Sequence, residues 1–154
     1  MKKLPWIITA FFFCTTMIML YLFVFKGNVK PAEDGRSAVQ LTEDNKNFVL
    51  QEMRQFLESV QQITEGAIEG DVDKIITAAE VSGENVIDQM PPSLMRSIPI
   101  AFKTLGFDSH DKFDQIGKDA KLGKGKDHTL RQLNTLLGNC VACHSAYKIE
   151  LVQN

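Results

Sequence analysis

The sequence of 154 residues lacks the features that mark several large classes of protein. It has only three cysteines, so no disulfide framework organises the fold. Its formal net charge of -2 gives no basic excess of the kind that binds nucleic acid. No internal repeat is present, and strand-like alternation of apolar and polar residues is hard to find. Because strand patterns are scarce, an all-α domain is the expected fold class.

Two of the three cysteines lie near the carboxyl end, in the stretch CVACH at 140–144. Two thiols three positions apart, followed directly by an imidazole, form the pattern of c-type haem attachment. The two sulfurs bond to the vinyl-derived carbons at one edge of a porphyrin, and the next histidine can donate a nitrogen to the iron. The motif therefore predicts one covalent haem c, tethered by Cys140 and Cys143, with His144 as the proximal iron ligand.

Other interpretations of the cysteine pair fit the remaining sequence less well. A thioredoxin-like redox pair should lie within a βαβ pattern, which is absent here. A zinc site would need further ligands, and Cys14, His110 and His128 have no paired spacing. A disulfide between Cys140 and Cys143 would be poorly placed within a helix. A haem-free, redox-dithiol helical protein stays an alternative.

The first 25 residues form the most apolar segment of the chain. An uncharged run, LPWIITAFFFCTTMIMLYLFVF, extends over 4–25 and would span about 33 Å as a helix. Because no pair of small residues follows it as a cleavage site, a single-pass transmembrane anchor is favoured over a cleaved signal segment. Residues 26–41 are polar and predict a tether to a body at 42–154.

The first half of the body predicts two helices. Thr42 is a suitable N-cap for the first, which ends at Gly70, and Asp71 can cap the second. Apolar residues at spacings of three and four continue through Gly83, and Pro91 ends the second helix.

The second half predicts two more helices after a packed loop with short helical turns at 91–108. Ser109 can cap the third helix, and a glycine-broken turn at 121–126 leads to a fourth helix capped by Asp127. The apolar stripe of the fourth helix comprises Leu130, Leu133, Leu137, Cys140, His144 and Tyr147. Helices with one apolar stripe each and short links predict an antiparallel four-helix bundle.

A haem motif on the last helix of such a bundle resembles the cytochrome c′ family, the class II c-type cytochromes. The ending CVACHSAYK at 140–148 is similar to the family's Cys-x-x-Cys-His-x-x-aromatic-basic pattern, and Glu69-Gly70 resembles a turn common in the family. The resemblance covers 44–151. The proline-containing region 91–108 and the membrane anchor depart from the family's pattern.

The resemblance implies that the first helix covers the distal face of the haem. Counting back from Glu69-Gly70 places Leu57 at the distal position, which would leave five-coordinate iron that binds nitric oxide or carbon monoxide. Met53 lies one turn earlier and is the alternative, because a thioether sixth ligand closes the iron to gases. Core packing is the competing role for Met53. Phe56 is expected to pack in the core or at the haem edge.

The sequence also allows predictions for the charged and imidazole groups outside the motif. Arg54 and Lys148 are candidates to pair with the haem propionates, because cations neutralise carboxylates. His128 precedes His144 by about 24 Å along one helix and cannot ligate the same iron. A solvated or capping role near a helix start is expected for His110. A solvated turn is expected to hold Lys121, Lys124 and Lys126.

These expectations lead to a membrane-anchored c-type cytochrome that is not an enzyme. It would pass single electrons between redox partner proteins on the periplasmic side of the inner membrane, where bacteria attach haem c. A soluble periplasmic protein is the alternative if the first segment is cleaved. Family members often dimerise through their first two helices, which implies a homodimer. A protein that binds or senses nitric oxide or carbon monoxide is the second function, and no distal acid–base pair is visible for peroxidase chemistry.

Overall fold

A computed structural model describes residues 3–152 of the chain, in which helices predominate and one small sheet is present. α1 (Leu4–Leu20) continues as a π-helical segment over Tyr21–Lys26. The described apolar side chains of α1 are exposed all around the helix, with Trp6 80% and Phe11 65% exposed. No helix in the described part of the chain is both long and apolar enough to cross a membrane.

The remaining helices form the body, with a 3-10 segment between the second and third of them. They are α2 (Glu43–Glu69), α3 (Val72–Val81), the 3-10 segment (Glu84–Gln89), α4 (Pro92–Ser97), α5 (Ile100–Lys121) and α6 (Lys126–Ala146). α2 packs on α3, α3 on α5, α5 on α6, and α6 on α2, so these four helices enclose a common core.

The caps of α2 and α3 are those that the sequence predicts. The Thr42 side chain accepts a hydrogen bond from the Asn45 backbone N–H, and α2 ends at Gly70 with a left-handed φ of 76°. The Asp71 carboxylate accepts a hydrogen bond from the Lys74 backbone N–H at 2.9 Å. These local signals fix where one helix ends and the next begins.

Other predicted helix boundaries are wrong. α3 ends at Val81 instead of continuing to the prolines. α5 begins at Ile100, directly after a proline at its N-cap, so Ser109 lies buried in mid-helix and caps nothing. α6 begins at Lys126, and Asp127 sits in its first turn without a side-chain capping bond. The region 91–108, predicted as a packed loop with short helical turns, is largely helical because it contains α4 and the start of α5. The short helix α4 agrees with the predicted turns.

A three-stranded sheet contradicts the expectation that strands are absent. β1 (Val29–Pro31) pairs antiparallel with β2 (Ser37–Leu41), and β2 pairs in parallel with β3 (Tyr147–Leu151). Val39 and Leu41 are completely buried. The tether predicted over 26–41 is therefore wrong, because most of this segment is part of the body.

The junction between the π-helical segment and β1 is also held against the body. Gly27 has a φ of +60° and packs so closely that a Cβ there would lie 2.6 Å from the Pro99 nitrogen. The next residue, Asn28, donates its backbone N–H to the Ser97 carbonyl at 2.7 Å. Only glycine suits this conformation and this approach.

Two clusters of buried apolar side chains make up the core. The first, between the four packed helices, contains Ile63, Ala67, Ile75, Ala78, Ala79, Phe113, Ile116, Ala120, Leu133 and Leu136. The second, beside the sheet, contains Val39, Leu41, Val49, Leu94, Ile98 and Phe102. Cys140 packs against the first cluster and Cys143 against the second. The two cysteines therefore lie where the clusters meet.

Candidate functional site

A cleft opens at this meeting point, and we call it the motif cleft. It encloses about 690 Å³ of space when its open, solvent-filled mouth is included. Its apolar walls come from Phe48, Val49, Met53, Phe56, Met90, Leu94, Ile98, Phe102 and Leu105. The other lining residues are Glu52, Gly106, Ser109, His110, Asn139, Cys140, Cys143 and His144.

The complete haem motif reaches the motif cleft from α6. Cys140, Cys143 and His144 are three and four residues apart, and such positions share one face of a helix. Both thiols are free and half-buried. Val141, within the same stretch of α6, is 67% exposed and does not line the cleft. The two sulfurs and the imidazole are therefore available to one bound group.

The surroundings keep both thiols protonated at neutral pH. Burial raises the pKa of Cys143 to about 11, and the neighbouring Cys140 thiol adds to the increase. Burial also raises the pKa of Cys140 above its ordinary value. Because redox-active cysteines depend on a low thiol pKa, this environment disfavours spontaneous dithiol chemistry.

Two of the predicted distal residues also line the motif cleft. Met53 is half-buried on α2 and packs against the second core cluster. The Phe56 ring lies 5.1 Å from the Phe113 ring and 4.9 Å from the His110 ring, which it meets edge to face. The structure thus brings Met53 and Phe56 together with the motif.

The other two predicted residues of the first body helix lie elsewhere. Leu57 is 72% exposed and does not line the motif cleft, so the structure does not place it at the predicted distal position. Position 57 is rotated by about 100° from Phe56 around the helix, and this rotation carries it off the inward face. Arg54 is likewise exposed and outside the cleft.

A second opening, which we call the basic groove, borders the motif from the sheet side. Arg36, Lys46 and Lys148 line it together with Met53, Cys143 and His144, among others. The Arg36 guanidinium donates to the backbone carbonyls of His144 at 3.3 Å and Tyr147 at 3.4 Å. Lys148 therefore lies where the sequence places it, beside the motif. Arg36 and Lys46 were missed because only the strand pairing brings β2 and the start of α2 there.

His110 is the most unexpected member of the motif cleft. The solvated or capping role predicted for it is wrong, because it is 5% exposed and lies in the middle of α5. Its Nδ1 lies 2.9 Å from the Ser82 carbonyl oxygen. Glu52 lies nearby; burial raises the pKa of its carboxyl group, and His110 opposes the increase. An acid and a base therefore line a cleft for which the sequence indicated no such pair.

The remaining histidine belongs to a polar cluster at the far end of α6. His128 Nε2 donates to the buried Asp119 carboxylate at 2.6 Å, and Lys124 pairs with the same carboxylate at 3.1 Å. Lys121 pairs with Glu80 at 2.6 Å. The turn that holds these lysines is thus tied to the body, and His128 is remote from the motif as predicted.

Comparisons with known proteins add no relative. The chain matches no family model, no curated protein and no solved structure. Among the described residues, no group of three or more His, Cys, Asp and Glu side chains is arranged to hold a metal ion. The function of the motif cleft must therefore follow from its own residues.

Proposed function

We propose that this chain is a c-type cytochrome that carries single electrons and holds one haem c in the motif cleft. The observation that supports this most directly is that Cys140, Cys143 and His144 all line one apolar cleft. A lone Cys-x-x-Cys-His match elsewhere on a surface would offer the thiols no room for a macrocycle. Here the whole motif lines a cleft whose walls are mostly apolar.

The residues present fit the group chemically. Phe48, Phe56 and Phe102 give the ring apolar and aromatic neighbours. Cys140 and Cys143 would tether it, and His144 would bind the iron. The cations of the basic groove, Arg36, Lys46 and Lys148, would neutralise the propionates. A bound haem supplies a reversible one-electron couple whose potential depends on its axial ligands and burial.

Two observations favour electron transfer over the alternatives. A second axial donor is at hand in the motif cleft, whereas Leu57, which would have left the iron open to gases, points to solvent. The raised pKa values of both cysteine thiols weigh against a haem-free dithiol protein. Binding of nitric oxide or carbon monoxide stays the second candidate, and five-coordinate iron would favour it.

The fold and location of the protein complete the proposal. The cyclic packing of α2, α3, α5 and α6 agrees with a four-helix bundle of the cytochrome c′ type. The exposed apolar side chains of α1 favour attachment to the inner membrane, with the body on the periplasmic side. Its partners would be redox proteins, and a homodimer would form through the first two helices of the body.

Covalent haem content tests the proposal. The full chain, produced in the periplasm with the haem-attachment machinery, should give about one haem per chain in a pyridine haemochrome assay. Cys140→Ala and Cys143→Ala should each lose a tether, while Val141→Ala, at an exposed position outside the cleft, should retain full haem content. A colourless protein with both thiols still free would overturn the proposal.

A further inference from the structure

We propose that His110 Nε2 is the second axial ligand of the iron, in place of Met53. This inference rests on the proposed haem function and extends it from the cofactor to the coordination chemistry. His110 comes from α5, whereas the resemblance directs attention to the first body helix. Its position in the motif cleft, together with His144 of α6, places two imidazoles in one site.

The hydrogen bond of His110 defines which ring nitrogen is available. The Ser82 carbonyl oxygen can only accept a hydrogen bond, so His110 Nδ1, at 2.9 Å, must carry the proton. In a neutral imidazole Nε2 then has a free lone pair. Among the described residues, no side chain or backbone group makes a hydrogen bond to this nitrogen. Coordination would need no proton to leave.

The surroundings hold the ring in this orientation. Ser82 follows the end of α3, where its carbonyl is no longer needed within the helix. The Ser82 hydroxyl hydrogen-bonds the buried Ser59 hydroxyl at 2.8 Å, which fixes the residue further. Phe56 meets the imidazole edge to face at 4.9 Å. Histidines that bind metals usually have this second-shell partner, a carbonyl on the non-ligating nitrogen.

Met53 has a different character. Its thioether is half-buried, borders both the motif cleft and the basic groove, and packs against the second core cluster. No hydrogen bond orients a methionine sulfur, and its flexible side chain suits gap filling. His110 is nine-tenths buried and already fixed, so it loses less conformational freedom on binding iron.

The ferric spectrum of the haem-loaded full chain tests this assignment. Electron paramagnetic resonance and near-infrared magnetic circular dichroism distinguish bis-imidazole iron from imidazole–thioether iron. We expect low-spin, bis-imidazole signals in the wild type, and the same signals in Met53→Leu. His110→Ala should lose them, become high-spin and bind carbon monoxide when reduced. Free imidazole added to His110→Ala should restore the low-spin spectrum.

Three results would overturn the assignment: five-coordinate high-spin iron in the wild type, thioether signals that vanish in Met53→Leu, or bis-imidazole signals that persist in His110→Ala. The wild-type and Met53→Leu spectra decide the question even if His110→Ala fails to fold. A pyridine haemochrome assay on each protein separates this outcome from the proposed function. Full haem content with a different ligand set would overturn only the assignment of His110. Absence of haem would overturn both that assignment and the proposed function.

Discussion

Cys143 lies at the boundary between the two core clusters, and its burial makes a prediction for the haem-free chain. Its pKa of about 11 lies two units above the ordinary 9.0, so its thiolate should be about 100-fold scarcer near pH 8. Alkylation by iodoacetamide should therefore be slow near pH 8 and accelerate as the pH rises towards 11. Mass spectrometry can follow the rate at this residue.

The same chain unfolded in denaturant is the control for Cys143. Unfolding removes the burial, so the thiol should then react at the rate of an ordinary cysteine. Equal rates in the folded and unfolded chains near pH 8 would mean that Cys143 is not buried as described.

Leu136 and Leu57 offer a matched pair of leucines on neighbouring helices. Leu136 is completely buried in the first core cluster, so Leu136→Ala should lower the free energy of unfolding by about 2–5 kcal/mol. Leu57 is 72% exposed, so Leu57→Ala should change it by no more than about 0.5 kcal/mol. Urea denaturation of the two variants measures both values. A large loss in Leu57→Ala would contradict the exposed position of this residue.

Single residues also show how much of the structure could be predicted from the sequence. The two caps and the remoteness of His128 were predicted correctly because they depend on local spacing alone. The position of Leu57 was inferred by counting along a resemblance, and an error of one residue rotates a side chain by about 100°. His110 was misjudged because its distance from a helix start depended on the predicted N-cap, which was placed ten residues too late, at Ser109 instead of Pro99.

At the scale of helices, Asp119 connects α5 to α6 and to the turn between them. Its carboxylate accepts hydrogen bonds from His128 and Gln132 of α6 and from Gln115 of its own helix. The His128 hydrogen bond, followed by those of Lys124 and Gln115, lowers the pKa of Asp119 below its ordinary 3.8. Its contribution to stability is therefore present above about pH 3.8 and is lost as the pH falls through the lower, folded value.

Asp119→Asn should remove this contribution. We expect a lower urea midpoint at pH 7 and a smaller further loss between pH 4 and pH 2 than in the wild type. Asp111→Asn, which alters an exposed carboxylate on the same helix, is the control and should keep the wild-type pH dependence. An unchanged midpoint at pH 7 in Asp119→Asn would contradict the role of the cluster.

The sheet is the element that the sequence conceals most completely. β2 pairs with β3 at Ser37↔Tyr147, a separation of 110 residues, and neither strand is longer than five residues. β3 does alternate Tyr147, Ile149 and Leu151 with two charged residues, a strand signal that was overlooked because the last helix was expected to continue there, whereas β2 has no such alternation. Parallel pairing of two distant segments leaves no local turn signal, so the polar run 26–41 was interpreted as a tether.

For the whole molecule, the exposed apolar surface of α1 predicts how the protein partitions between membrane and aqueous fractions. The full chain should fractionate with membranes, whereas a chain without residues 2–20 should be recovered in the aqueous fraction. Because the π-helical segment and Gly27 are kept, the contacts with α4 and α5 stay intact. Fractionation of both chains measures this partition, and a truncated chain that still fractionates with membranes would contradict the role of α1.

The junction at Gly27 and Asn28 determines how the protein can meet other molecules. Since Asn28 is bonded to Ser97 and Gly27 packs against Pro99, the chain has no slack between α1 and the body. A body joined to α1 by a flexible linker could adopt many orientations relative to it. In the proposed cytochrome the body would therefore keep one orientation relative to α1, and a redox partner would have to approach it from a fixed direction.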